Sequence, residues 1–379
     1  MANTNTLTSI LPKLLAQGLL ALRQLAIMPR FVNRAYETMA GQKGSTIDVP
    51  VPSAISAQAV SPSYVPPDDA GVSPTTVAVA LDEWWEAPFF LSDKDLLEVD
   101  AGVIPMQASE AIKSLANKVD DKIFALYTNV YSFAGTAGST PFSTDLSEFF
   151  TADQLLNDEA APMDPRYVVF NAKAKANAIA QRAFQDASYR GDTAGITRGE
   201  IGEKFGYFWA MDQNVPRHTA GTASGATTDN AGYALGIKTV TLASAGTGSI
   251  LVGDIITFAG DTQTYAVTSG DASVAGGGTI SFLPGLRTAI AASATAITVK
   301  ASHRLNLAFH RDGFALASRP FAGSDPLGLG NFQSAVDPVS GLTLRLEISR
   351  QHKRTRFSYD ILFGVKLVRG ELVARIAGE

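Results

Sequence analysis

The chain has 379 residues, a formal net charge of -5 and no cysteine. Such a length can bury a core in two or three domains, and the acidic balance excludes a protein that wraps nucleic acid through bulk positive charge. Disulfides, thiolate zinc sites and cysteine nucleophiles are excluded outright, and no uncharged apolar run reaches the length of a membrane span.

The first thirty residues are leucine-rich. Leu11, Leu14, Leu15, Leu19, Leu22 and Leu25 predict an amphipathic helix bent near Pro12 and Gly18. Lys13 and Arg23 interrupt the apolar stretch, so a packing arm fits better than a targeting peptide. From Gly44 the texture turns extended. Thr46 to Val49 and Thr75 to Trp85 alternate as strands, and Ser61 to Pro74, with Pro62, Pro66, Pro67, Asp68, Asp69 and Gly71, predicts a turn-rich tip. Two strands joined this way predict a projecting β-arm that packs on another subunit. Trp84, Trp85, Phe89 and Phe90 read as a hydrophobic corner, because their neighbours Glu83 and Glu86 do not suit a base-stacking platform. Ser92 and Asp95 predict a capped short helix.

Pro105 to Val130 is the longest periodic stretch. Met106, Ile112, Leu115, Val119, Ile123, Leu126 and Val130 predict one apolar helix face, with Glu110, Lys113, Lys118, Asp120, Asp121 and Lys122 on a solvated face. A helix follows at Thr151 to Ala160, then a buried strand at Tyr167 to Phe170 and a helix over Ala172 to Phe184 capped by Asn171. Gly199 to Gly206 has neither dinucleotide-loop nor P-loop spacing and reads as a turn into the strand Tyr207 to Met211. Around Arg217 to Gly232 the composition shifts to small residues with almost no charge, and from Gly236 to Lys300 six short strands are predicted between glycine turns. They are Ile237–Leu242, Ile250–Val252, Ile255–Phe258, Thr264–Val267, Thr279–Phe282 and Ala296–Val299. Together they predict a small antiparallel barrel or sandwich, inserted into the surrounding fold. Asn306 to His310 and Phe314 to Ala317 would extend the sheet left at Pro216, and strands from Leu342 run to the end.

Catalytic chemistry finds no footing. His218, His303, His310 and His352 have no ligand spacing, and no Gly-x-Ser-x-Gly elbow occurs. Catalytic, cofactor-binding and metal-binding residues are therefore expected to be none. Arg345, Arg350, Lys353, Arg354 and Arg356 form a basic cluster suited to phosphates or, more readily in an acidic protein, to carboxylates of a neighbouring subunit.

The order of these parts resembles the major capsid proteins of tailed phages with the Hong Kong 97-type fold. It is most similar to the Salmonella-podovirus type, in which a β-barrel is inserted into the axial domain. The stretches that carry the resemblance are the spine helix, GEIGEKFGYFWAMDQNVP (199–216), NLAFHRDGFALASRP (306–320) and SGLTLRLEI (340–348). The resemblance implies an α+β capsid fold with an N-terminal arm (1–43), an extended β loop (44–90) and a peripheral domain with the spine helix (91–150). It further implies an axial domain (151–220 and 302–335), an inserted β-barrel (221–301) and peripheral C-terminal strands (336–379). Implied partners are other copies of the chain in pentamers and hexamers, scaffolding and portal proteins, and packaged double-stranded DNA by non-specific contact, with no membrane. The implied location is the virion. Some relatives cross-link an extended-loop lysine to an asparagine; no lysine lies between Gly44 and Asp93, so a non-covalent shell is expected. An encapsulin-like compartment shares the fold, and a secreted β-rich adhesin or carbohydrate-binding protein is the rival from another class.

Overall fold

The computed structural model describes residues 26–35, 46–52, 55, 57, 60, 62, 74–94, 103–186, 201–319, 330–336 and 341–379. The helix predicted before residue 26, most of the predicted proline-rich tip and the predicted role of Asp95 in a cap fall outside them.

Along the chain, β1 (Thr46–Val51) and β2 (Thr75–Ala80) pair antiparallel, with Thr46 opposite Ala80 and Val51 opposite Thr75. The predicted alternation holds, since Ile47, Val49 and Val79 are buried. β3 (Glu83–Ser92) is a continuous strand rather than a corner. The helix α1 (Val103–Ala125) is followed by a 3-10 turn over Leu126–Asn129, so the predicted helix ends a turn early. Then come β4 (Ser132–Ala134), α2 (Ser147–Asp158) and β5 (Arg166–Phe170). Helix α2 begins before Thr151, where Asp145 accepts the Ser147 amide, and Thr151 is an interior residue. Asn171 caps the next helix as expected, its Oδ1 accepting the Ala174 amide at 2.9 Å. That helix breaks at Gln181 into α3 (Ala172–Ala180) and α4 (Arg182–Gln185).

β6 (Gly202–Lys204) and β7 (Tyr207–Met211) form a hairpin whose two loop residues, Phe205 and Gly206, both have positive φ. That is the geometry of a primed turn matching the strand twist. β8 (Arg217–His218), β9 (Thr239–Leu242), β10 (Ile255–Phe258), β11 (Tyr265–Ser269), β12 (Gly278–Leu283) and β13 (Ile297–Val299) follow. The remaining strands are β14 (His303–His310), β15 (Phe314–Ser318), β16 (Gly330–Val336), β17 (Thr343–Gln351), β18 (Arg354–Leu367) and β19 (Val373–Gly378).

The chain divides into two compact units. One takes the described parts of 33–111 and 315–368. It holds the β1–β2 pair and a sheet of order β15-β18-β17-β16, with β3 also paired to β18. Ile47, Val49, Val79 and Leu81 pack with Ala315 and Ala317, so the inner face of the β1–β2 pair is buried within its own unit. The expectation that this pair buries little of itself is corrected there.

The other unit takes the described parts of 20–32, 112–314 and 369–379. Its main sheet runs β4-β19-β14-β5-β7-β6, with β8 paired to β14. Phe149, Ala152 and Leu156 of α2 and Ala174 and Ala178 of α3 pack on Val168, Phe170, Trp209, Ala308 and Ile376 of this sheet. The buried guanidinium of Arg166 is fully occupied, by Asp153, Tyr207, Asn157 and the carbonyls of Ala161 and Pro162. β14 extends this sheet as expected, whereas β15 joins the sheet of the other unit.

Residues 221–301 form a second, antiparallel sheet of five strands in the order β13-β10-β11-β12-β9. Ile250 makes only an isolated bridge to Asp271, so the sixth predicted strand is absent. Instead Ala226 to Asp229 hydrogen-bonds to both ends of the sheet: Ile297 N to Ala226 O, and Asp229 N to Thr241 O. Val240, Ile256, Phe258, Tyr265, Val267, Ile280 and Phe282 give it a core of its own.

Candidate functional site

No group of three or more potential metal ligands occurs among the described residues. What the sequence singled out sorts instead into a paired surface, an anchored arm and a buried joint.

On the β3–β17–β18 surface the predicted basic cluster is largely neutralised within the chain. Arg345 donates to both oxygens of Asp360, at 2.9 and 3.1 Å, and the Trp84 indole donates to the same carboxylate at 3.0 Å. Arg356 forks onto Glu86 at 2.8 and 2.9 Å, with Ser358 Oγ donating to the same acid. Arg350 meets Asp93, and Arg354 lies over the Phe90 ring at 4.9 Å. Within the chain, then, Arg345, Arg350 and Arg356 already meet acids, where the sequence reading had looked to a neighbouring subunit for them. Antiparallel register explains why: Glu86 stands opposite Asp360 and Phe90 opposite Arg356, which brings residues far apart in sequence into cross-strand reach. Trp84 and Phe90 remain 62% and 60% exposed on alternate positions of β3. Their alternation with half-buried Trp85, Phe89 and Leu91 is that of a strand with one open face.

Asp120 departs from the solvated face predicted for it. It is fully buried and accepts the amides of Ile27 and Met28, at 3.3 and 3.1 Å, at the head of a 3-10 turn over Met28–Arg30. The carboxylate thus ties the end of the N-terminal arm to α1. Asp212, also buried, accepts the Asn214 amide through Oδ1. Burial pushes both carboxyl groups up, and the charge of Asp212 raises Asp120 further.

The joint between the 221–301 module and the sheet that carries it is polar at its centre. Asp254, on the module, is wholly buried. Its carboxylate meets His218 Nε2 at 2.8 Å and accepts the amides of Gly221 at 3.1 Å and Leu251 at 2.7 Å. His218 Nδ1 lies 2.9 Å from Tyr127 Oη. The imidazole thus links Tyr127 to Asp254 through its two ring nitrogens. Arg375, on β19, reaches the carbonyls of Gly253 at 2.8 Å and Tyr127 at 2.6 Å. Its complete burial brings its pKa down to about 9, opposed by Tyr127 and Asp254. His303 packs 5.5 Å from the His218 ring, and burial lowers its pKa to about 4.

Around this polar centre Ile255 and Ala266 of the module pack on Tyr131, Phe133 and Ala377. Thr264 donates to the Tyr131 carbonyl, and Arg287 pairs with Glu159. A Cβ added at Gly221 would stand 2.2 Å from Ser249 O and 2.7 Å from Asp254 Oδ2, so the entry to the module admits only glycine.

Sequence reasoning found no ligand spacing around His218 and His303 and did not single out Asp254. One signal pointed further. Arg375 interrupts Val373, Ala374, Ile376 and Ala377, a run apolar on both strand faces, where a charge must find partners inside. Asp68 and Asp69 lie outside the described residues.

No family model matches the chain, and no curated protein matches it. Solved structures do. One from Mycobacterium phage Che8 aligns with a TM-score of 0.53 at 15% identity, covering 92% of this chain and 90% of that one. The capsid structure of the cyanophage P-SCSP1u aligns at 0.48 and 11% identity, covering 88% and 84%. The capsid of a native GTA particle aligns at 0.46 and 14% identity, covering 95% and 90%. The chain is a sheet-rich α/β protein that shares its fold with the Che8 chain over nearly the whole of both.

Proposed function

We propose that this chain is the major capsid protein of a tailed phage, of the Hong Kong 97 type, which assembles into the icosahedral shell around a double-stranded DNA genome. The observation that carries the reading is the fold shared with the phage Che8 chain across 92% of the present one. The sequence resemblance independently supports the same reading, through the order of arm, β loop, spine helix and interrupted α/β body. In it, α1 is the spine, β1 to β3 belong to the extended loop and peripheral sheet, β5 to β8 with β14 form the axial domain, and 221–301 is an inserted small barrel. The segment Ala226–Asp229, bonded to both ends of the five-stranded sheet, supports the barrel reading.

Function on this reading is assembly, with pentamers and hexamers held by many modest interfaces summed over the shell. Scaffolding and portal proteins are the expected assembly partners, in the host cytoplasm, and the virion is the destination. No chemical step is assigned to the chain. Electron microscopy of the overexpressed protein tests the proposal: closed shells of uniform diameter are expected. A protein that stays monomeric at high concentration, with and without co-expressed scaffold, would overturn it.

A further inference from the structure

β8 and β14 pair antiparallel with His303 opposite His218 and Arg304 opposite Arg217. Side chains directly opposite in such a ladder share one face of the sheet. The histidines turn toward the buried joint; the two arginines line a cavity of about 550 Å³ on the other face. Like charges in that relation repel, and the chain elsewhere answers its arginines with acids, as at Arg166, Arg345 and Arg356. Here it does not. Neither Arg217 nor Arg304 has an ion pair among the described residues, and Arg304 donates only to the Val215 carbonyl, at 3.0 Å.

The rest of the lining bears on what the cavity accepts. Lys173 enters from the first turn of α3, whose leading amides add partial positive charge behind Asn171. Of the acids present, Glu379 is engaged by Lys173 and by Thr140 Oγ1. The second, Asp212, is buried with Oδ2 lacking a hydrogen-bond partner, and burial raises the pKa of its carboxyl. Two guanidinium forks facing one cavity suit an oxyanion with several acceptor atoms.

We propose that this cavity binds a phosphate group, held by the guanidinium groups of Arg217 and Arg304 with the Lys173 ammonium beside them. The group comes from free phosphate or from a nucleic-acid backbone; only the second source rests on the shell reading.

The test uses the full chain. Thermal unfolding in potassium phosphate is compared with potassium chloride at matched pH and ionic strength, for the wild type, Arg217→Gln and, as a second variant, Arg304→Gln. Phosphate raises the wild-type Tm. Arg217→Gln raises Tm in chloride, because a like-charge pair is relieved, yet loses the phosphate-dependent rise, and calorimetric titration shows affinity for inorganic phosphate weakened at least about tenfold.

A short DNA duplex, titrated against salt by fluorescence anisotropy, separates the sources. A salt slope smaller by about one in Arg217→Gln identifies backbone phosphates. An unchanged slope, with the inorganic phosphate response still lost, identifies the free anion. An equal phosphate response in wild type and both variants, or none in the wild type, overturns the proposal. Shell formation, scored separately in micrographs, is untouched by that outcome.

Discussion

Removing the Asp254 carboxylate is the sharpest test of how the module is joined to the sheet that carries it. In Asp254→Ala the His218 Nε2 proton and the amides of Gly221 and Leu251 lose their acceptor in a site closed to water. A net hydrogen bond is worth about 1 kcal/mol, and a buried donor left without a partner costs about 1–3 kcal/mol. The amides can recover part of that by small backbone shifts; the imidazole, held between Tyr127 and Asp254, cannot.

The expected loss is about 3–5 kcal/mol, from about 1–3 kcal/mol for the orphaned imidazole donor and about 1 kcal/mol for each of the two amide bonds. That is a large share of a stability of about 5–15 kcal/mol. Tyr127→Phe, which removes only the outer hydroxyl of the same line, is expected to cost about 1 kcal/mol. Equilibrium urea unfolding of the unassembled chain measures both. An Asp254→Ala variant within about 1 kcal/mol of wild type would refute the idea that this carboxylate secures the joint.

Other expectations follow from named contacts. Burial raises the Asp212 carboxyl, so the folded state holds its proton more tightly than the unfolded chain. The resulting stability is present at acid pH and lost as pH rises through the raised folded value. Asp212→Asn, which keeps an acceptor for the Asn214 amide, should therefore exceed wild type in Tm at pH 7–8, with the gap closing toward pH ~4. His303 works with the opposite sign. Its folded pKa of about 4 lies below the ordinary value of 6.5, so the wild type loses stability as pH falls between the two, and His303→Gln should flatten that limb in pH-dependent unfolding. Asp120→Ala removes the acceptor for Ile27 and Met28, and hydrogen exchange over residues 26–32 should quicken by about tenfold, as for a lost cap of about 1–2 kcal/mol. If mature shells are obtained, a denaturing gel should show monomer and no covalent ladder, because 44–93 contains no lysine.

Much of the strand and helix plan was readable because local rules set it. Ile47, Val49 and Val79 alternate, Asn171 precedes a helix it caps, and Ile112 to Ile123 keep a helical period. What escaped was set by partners distant in sequence. Asp120 looks solvated on a helical wheel and is buried because Ile27 and Met28 bring backbone amides to it. The arginines of 345–356 look like a surface for another molecule until register sets Glu86 and Asp360 among them. Asp254 follows a glycine in a turn between two short predicted strands, and nothing nearby announces His218 as its partner. Phe205 holds a left-handed backbone position that a glycine or asparagine would ordinarily take, and only the primed hairpin reveals it.

The position of β19 has a consequence for how the chain is made. This strand lies inside the main sheet, between β4 and β14, and Arg375 on it fastens Gly253 of the module. Ala374 pairs with Ser132, so the sheet stays split through synthesis of everything between them. Until residues 373–378 leave the ribosome, β4 and β14 expose unpaired edges and the module has its own core but no arginine to hold it. Folding of this unit therefore waits for β19 and is dominated by distant pairings, which makes it slow and prone to edge-to-edge association in a crowded cell. A nascent chain of this design gains from a chaperone or an early partner that shields those edges until the interior strand arrives.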